Sequence, residues 1–160
     1  LMLTPNGVID MSKKFSGLVE TSLNLGVLTT EEKNIVLHYA LRSNKKTSLD
    51  FLEEKLTSFA SYNECNVEIF GHYPAWEFKD DSKLQKIYKD IYMKSFGNKP
   101  VINAIHAGLE CGIFASKIED LDCISVGPDM YGIHSVNEKL SISSTKLFYE
   151  NLICVLKELK

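Results

Sequence analysis

The sequence predicts a mixed α/β chain, an antiparallel β-β-α-β half-sandwich followed by a βα portion of an α/β layer. Two stretches alternate apolar and polar residues with period two, as half-buried strands do. Three others repeat apolar residues at helical spacing. The pattern changes across residues 74–81, beyond which helices alternate with short apolar runs of the kind that form buried parallel strands.

Along residues 18–28, Val19, Thr21, Leu23, Leu25 and Val27 point one way, with Glu20, Ser22, Asn24 and Gly26 opposite. Over 34–42 the apolar face is Ile35, Leu37, Tyr39 and Leu41, and the other face is His38, Ala40 and Arg42. The short polar connection at 29–33 makes these an antiparallel hairpin. Ser48 is placed to cap a helix whose stripe is Leu49, Leu52, Leu56 and Phe59 and which ends at 61–64. Residues 66–73 read as a third strand, stopped by Pro74. Residues 82–96 form a helix with Leu84, Ile87, Tyr88, Ile91 and Tyr92 on one stripe, closed by Gly97 and Pro100. Then come a strand at 101–107, a short helix at 109–115, a strand at 122–126 and a closing helix at 145–159. The Pro-containing join divides the chain into residues 1–76 and 77–160.

Composition narrows the function. With 160 residues, 44% apolar and 24% charged, the chain reads as an ordinary globular protein. A net charge of −3 without a basic stripe gives nucleic acid nothing to bind. No apolar run reaches the length of a membrane span, and the opening Leu1-Met2-Leu3-Thr4-Pro5 does not read as a signal peptide. Cys65, Cys111, Cys123 and Cys154 form no Cys-x-x-Cys pair, which fits reduced, mostly buried thiols in a cytosolic protein.

Three segments carry candidate chemistry. His106-Ala107-Gly108-Leu109-Glu110-Cys111-Gly112 lies between a strand and a helix start, where free N–H groups favour an anion and Gly108 permits close approach. His134, in His134-Ser135-Val136-Asn137-Glu138, follows the strand end Val126-Gly127-Pro128, a place where α/β sheets gather their sites and where an imidazole can reach a metal. Arg42 suits a two-point carboxylate clamp, and Asn24 suits a carbonyl. From the pattern alone, Arg42 pairing across the strands with Glu20 stays open. His38 and His72 suggest no role, and Trp76 reads as a packing anchor.

In this order, these segments resemble the end of the zinc-dependent aminoacyl-histidine dipeptidases, carnosinase-like members of the zinc aminoacylase and carboxypeptidase superfamily. The His-Ala-Gly-Leu-Glu-Cys-Gly string and the Gly-Pro strand end followed by His-Ser-x-x-Glu carry the likeness; Val136 stands where the family has Pro. The resemblance implies that residues 1–76 are the C-terminal half of a lid-type, dimerisation-type domain and residues 77–160 the last part of a catalytic metallopeptidase domain. It implies that His134 is a zinc ligand, with manganese or cobalt as alternative metals. Asn24, Arg42, His106, Gly108 and Glu110 would hold a dipeptide. The family's remaining ligands and its general base have no counterpart here: Glu31-Glu32 falls in a hairpin turn and Glu53-Glu54 on a helix flank. The expectation is therefore a C-terminal portion of an X-His dipeptidase that acts through a metal-activated water. It would have no catalytic residue of its own, hold no stoichiometric metal, and be inactive without the upstream part of the enzyme. A homodimer is a further open partner. A non-catalytic binding or assembly module, or a related aminoacylase or carboxypeptidase, are the alternatives.

Overall fold

The computed structural model describes residues 3–160; Leu1 and Met2 of the opening segment lie outside the described residues. The chain is mixed α/β and forms two compact units: residues 1–78 with 103–119, and residues 79–102 with 120–160.

The first unit is built on a three-stranded antiparallel sheet of order β1-β2-β3, from β1 (Gly7–Met11), β2 (Val19–Thr30) and β3 (Ile35–Ser43). The expected hairpin is there, closed by the Glu31 N–H donating to the Asn34 carbonyl at 2.8 Å. β1, short and lacking a clear alternation in the sequence, was not anticipated. One register detail overturns the simple alternation. Leu25 faces Tyr39 but Val27 faces His38, so Gly26 is an extra residue, a bulge. Beyond it the faces exchange, and Val27 joins the His38 side instead of the Leu23 and Leu25 side.

Helix α1 (Lys46–Tyr62) packs against β3. Leu23, Leu49 and Leu52 are the buried apolar side chains of this unit. Fully burying one leucine contributes about 1.5–3 kcal/mol. The helix starts before the Ser48 cap read from the sequence. Its first N–H, on Lys46, donates to the Glu77 carboxylate at 3.0 Å, while the Ser48 hydroxyl turns to Glu20 at 3.5 Å. A cap supplied from 31 residues away leaves no local signature. Helix α3 (Glu110–Lys117) completes the unit.

In the second unit, α2 (Lys83–Phe96) packs on α4 (Ile142–Glu158) around Ile91 and Val155. Both helices begin at serines. Ser82 accepts the Gln85 N–H at 2.9 Å and Ser141 accepts the Ser144 N–H at 3.3 Å. Gly97 ends α2 in the left-handed region, at φ 73°. A two-residue ribbon pairs β4 (Met130–Tyr131) with β5 (Lys139–Leu140).

The runs 66–73, 101–107 and 122–126, expected as strands, are not strands among the described residues. Apolar β-formers supply propensity, but a strand exists only where a neighbour completes its ladder. None of these runs has one.

Candidate functional site

In the first unit the register of β2 against β3 sets Ser22 directly opposite Arg42 and Asn24 opposite Ala40. Directly opposed residues share a face, and residues two apart on a strand do too. Ser22, Asn24 and Arg42 therefore project from one side of the sheet. Glu20 is not the partner of Arg42: it lies 3.9 Å from the Lys45 ammonium and takes the Ser48 hydroxyl. The cross-strand ion pair left open above is thus replaced by an Arg42 side chain that is exposed on the Ser22 face.

The 106–112 segment reaches that face. The Ser22 hydroxyl lies 2.7 Å from His106 Nε2, a contact spanning 84 positions. Half-burial lowers the His106 pKa from its ordinary value, and the positive charge of Arg42 lowers it further. Both effects favour the neutral imidazole.

Two glycines fix the loop. A Cβ on Gly108 would sit 2.5 Å from the Tyr73 ring, and one on Gly112 would sit 2.7 Å from the Pro74 carbonyl oxygen. The Tyr73-Pro74-Ala75-Trp76 segment thus packs directly on the His-Ala-Gly-Leu-Glu-Cys-Gly string, and the close approach expected at Gly108 is made by the Tyr73 ring. Glu110 opens α3 and is exposed. Together with desolvation, its charge and that of Cys111 hold the Tyr73 phenol above its usual range. Farther along the sheet, Phe70 meets His38 edge-on at 6.3 Å. An open depression of about 430 Å³, lined by residues 14–18 with Asn103 and Ala104, contains none of these side chains.

His134 belongs to the second unit, in the loop joining β4 to β5. It has φ 63°, a left-handed conformation that non-glycine residues rarely adopt. The Glu138 carboxylate holds it there by accepting the His134 N–H at 3.0 Å. Ser135 ties the same loop, its N–H and hydroxyl both donating to the Gly132 carbonyl at 3.1 and 2.7 Å. Val136 stands fully exposed at the tip. The imidazole of His134 is exposed, with its backbone fixed by the loop.

Two participants escaped the sequence reading: Ser22 and Tyr73. Ser22 was legible in principle, because it alternates with Asn24 and the hairpin length sets it across from Arg42. Tyr73 acts through a contact that no spacing rule encodes. Glu138 stood in the His-Ser-x-x-Glu string, and the structure adds its bond to the His134 N–H.

No protein-family model matches the chain. It is 36% identical over 159 residues to the cytosol non-specific dipeptidase of Escherichia coli K12, covering 99% of this chain and 33% of that protein. The crystal structure of the aminoacylhistidine dipeptidase from Vibrio alginolyticus superposes with a TM-score of 0.85 at 39% identity, over 97% of this chain and 32% of that one. These relatives are dipeptidases. The resemblance read from the residues is therefore borne out, and the chain spans about a third of the length of the relatives it matches. Aminopeptidase PepT from Bacillus cereus shares the fold, with a TM-score of 0.72 at 21% identity over 99% of this chain and 43% of that one.

The residues of this chain do not by themselves suit a catalytic zinc ion. Such a site takes about three protein ligands. Among the described residues no group of three His, Cys, Asp or Glu side chains converges. His134 offers one donor.

Proposed function

We propose that this chain is the C-terminal portion of a metal-dependent dipeptidase that hydrolyses X-His dipeptides, contributing most of the peptide-holding surface and one metal ligand. The observation that carries this reading is the gathering of His106 onto the Asn24 and Arg42 face. A planar guanidinium, an amide and an imidazole on one polar surface match the C-terminal carboxylate, the carbonyl and the side chain of a short peptide. Residues 1–76 act as the later half of the lid and residues 77–160 as the end of the catalytic domain. Gly108 and Glu110 belong to the loop that shapes the pocket.

His134 is one ligand of a zinc ion whose other ligands, like the general base, come from elsewhere in the longer protein. The fixed His-Ser-x-x-Glu loop supports this role, since a ligand already held in place binds without an ordering cost. The Escherichia coli relative is named as cytosolic, and no helix among the described residues is long and apolar enough to cross a membrane. A cytoplasmic enzyme is the consistent location.

The test is side-by-side hydrolysis of X-His dipeptides, tripeptides and N-acyl amino acids by the longer protein. X-His dipeptides should be the best substrates, and Arg42→Gln should raise KM by roughly 10–100-fold, as loss of a charge-assisted pair does. Preference for N-acyl amino acids would move the assignment to an aminoacylase. No hydrolysis of any of the three would end the enzyme reading in favour of a binding module.

A further inference from the structure

We propose that Ser22, His106 and Arg42 form one proton-coupled carboxylate site, in which a carboxylate arriving on Arg42 draws a proton from solvent onto His106 while the Ser22 hydroxyl reverses its hydrogen bond. It rests on the reading of Arg42 as the carboxylate anchor and adds to it a role for Ser22 and a pH dependence for binding.

The geometry supplies each part. Ser22 and Arg42 are opposed on adjacent strands, and Ser22 Oγ is 2.7 Å from His106 Nε2. A hydroxyl satisfies that nitrogen in both protonation states through a single atom, by turning its O–H. It donates to the lone pair of a neutral imidazole and accepts from the N–H of an imidazolium. A carboxylate or amide oxygen in its place would favour one state only.

The electrostatics supply the direction. The charge acting on His106 is that of Arg42 on β3. On β2, Glu20 lies two residues from Ser22 on the same face, and its carboxylate is engaged by Lys45 and the Ser48 hydroxyl; Val8, opposite Ser22 on β1, brings no charge. On its own loop, Glu110 acts on Tyr73. With Arg42 uncovered, protonating His106 sets two positive charges side by side. A carboxylate on Arg42 cancels the first and attracts the second. Binding therefore raises the His106 pKa and takes up a proton. Affinity is lowest above the His106 pKa of the complex, rises as pH falls through it, and levels off below the pKa of the free protein. Each unit by which the ligand raises that pKa corresponds to a tenfold gain in affinity across the window.

The experiment is an NMR titration of the four histidines in the 160-residue chain, without ligand, with acetate, and with glycyl-leucine, which has a carboxylate and no titrating side chain. His106 should titrate below the ordinary histidine value of about 6.5 when free and move upward with either ligand. Arg42→Gln should raise the free His106 pKa and abolish the ligand response. Ser22→Ala should replace one imidazole tautomer by a mixture, and Ser22→Thr should restore it. Binding that leaves His106 unmoved, a shift that survives Arg42→Gln, an unchanged tautomer in Ser22→Ala, or failure of both ligands to bind would each overturn the proposal. The dipeptidase reading is judged separately, by hydrolysis in the longer protein. Coupling found here without hydrolysis there would leave a carboxylate-binding module, and hydrolysis without coupling would leave the enzyme reading and remove this one.

Discussion

Gly108 and Gly112 look alike in the sequence, yet they meet different obstacles. An alanine at 108 would push on the Tyr73 ring, a side chain that is 40% exposed and able to swing outward. An alanine at 112 would push on the Pro74 carbonyl, which cannot move without its backbone. Gly112→Ala should therefore destabilise the first unit by about 1–3 kcal/mol, the usual range for overpacking, and Gly108→Ala by less. Tyr73→Ala should remove most of the cost of Gly108→Ala and leave that of Gly112→Ala intact. Urea unfolding of the three single and two double variants measures this, and equal costs at the two glycines would contradict it. Glu138 invites a second substitution. Its carboxylate holds the His134 N–H in an exposed loop, so Glu138→Ala should cost only about 1 kcal/mol in stability. The larger effect should be on order: backbone amide relaxation at 133–137 should show the loop freed. At this scale the sequence disclosed residue types well and their partners poorly. His106, His134 and Arg42 stood out by chemistry, whereas Ser22 and Tyr73 matter through what they touch.

Elements were legible where their signals are local. The long hairpin follows from alternation, and α2 from its apolar stripe and the Gly97 stop. Signals failed where structure depends on distant chain: the Glu77 cap of α1, the bulge at Gly26, and the apolar runs that lack a neighbouring strand. The start of α2 shows both kinds of control. Besides Ser82, the Asp122 carboxylate accepts the Leu84 N–H at 3.0 Å, from 38 residues away. Desolvation pushes the Asp122 pKa up. The hydrogen bonds from Leu84, Ser82 and Lys83, with the charge of Lys79, outweigh it, so the net pKa lies below the ordinary carboxylate value. A carboxyl with a depressed folded pKa contributes its stability above the unfolded value of about 3.9 and loses it as pH falls through the folded one. Asp122→Ala should therefore cost about 1 kcal/mol at pH 7, as loss of a helix cap does. The gap between variant and parent should close as the pH drops below 4. A gap that stays constant down to pH 2 would mean the carboxylate charge contributes nothing.

At the scale of the whole molecule, little apolar surface is put away. Leu23, Leu49 and Leu52 are buried in the first unit and Ile91 and Val155 in the second, while Val8, Phe70, Val101 and Ile142 are 57%, 72%, 82% and 88% exposed. Each unit thus carries large apolar side chains that a further protein surface could cover. The dipeptidase reading names that surface as the upstream part of the same enzyme, which would also bring the metal ligands that His134 lacks. Two consequences can be measured on the isolated chain. It should bind the hydrophobic dye ANS at its exposed apolar side chains and unfold at a low temperature. Zinc should bind weakly through His134 alone, so that His134→Ala changes its weak uptake but not the melting curve. Adding the upstream portion as a separate polypeptide should quench the dye, raise the melting temperature, and create a tight zinc site that His134→Ala destroys. A chain that melts no lower alone than with the upstream portion, ignores the dye and holds zinc tightly by itself would be self-sufficient, and the proposed dependence on an upstream partner would be wrong.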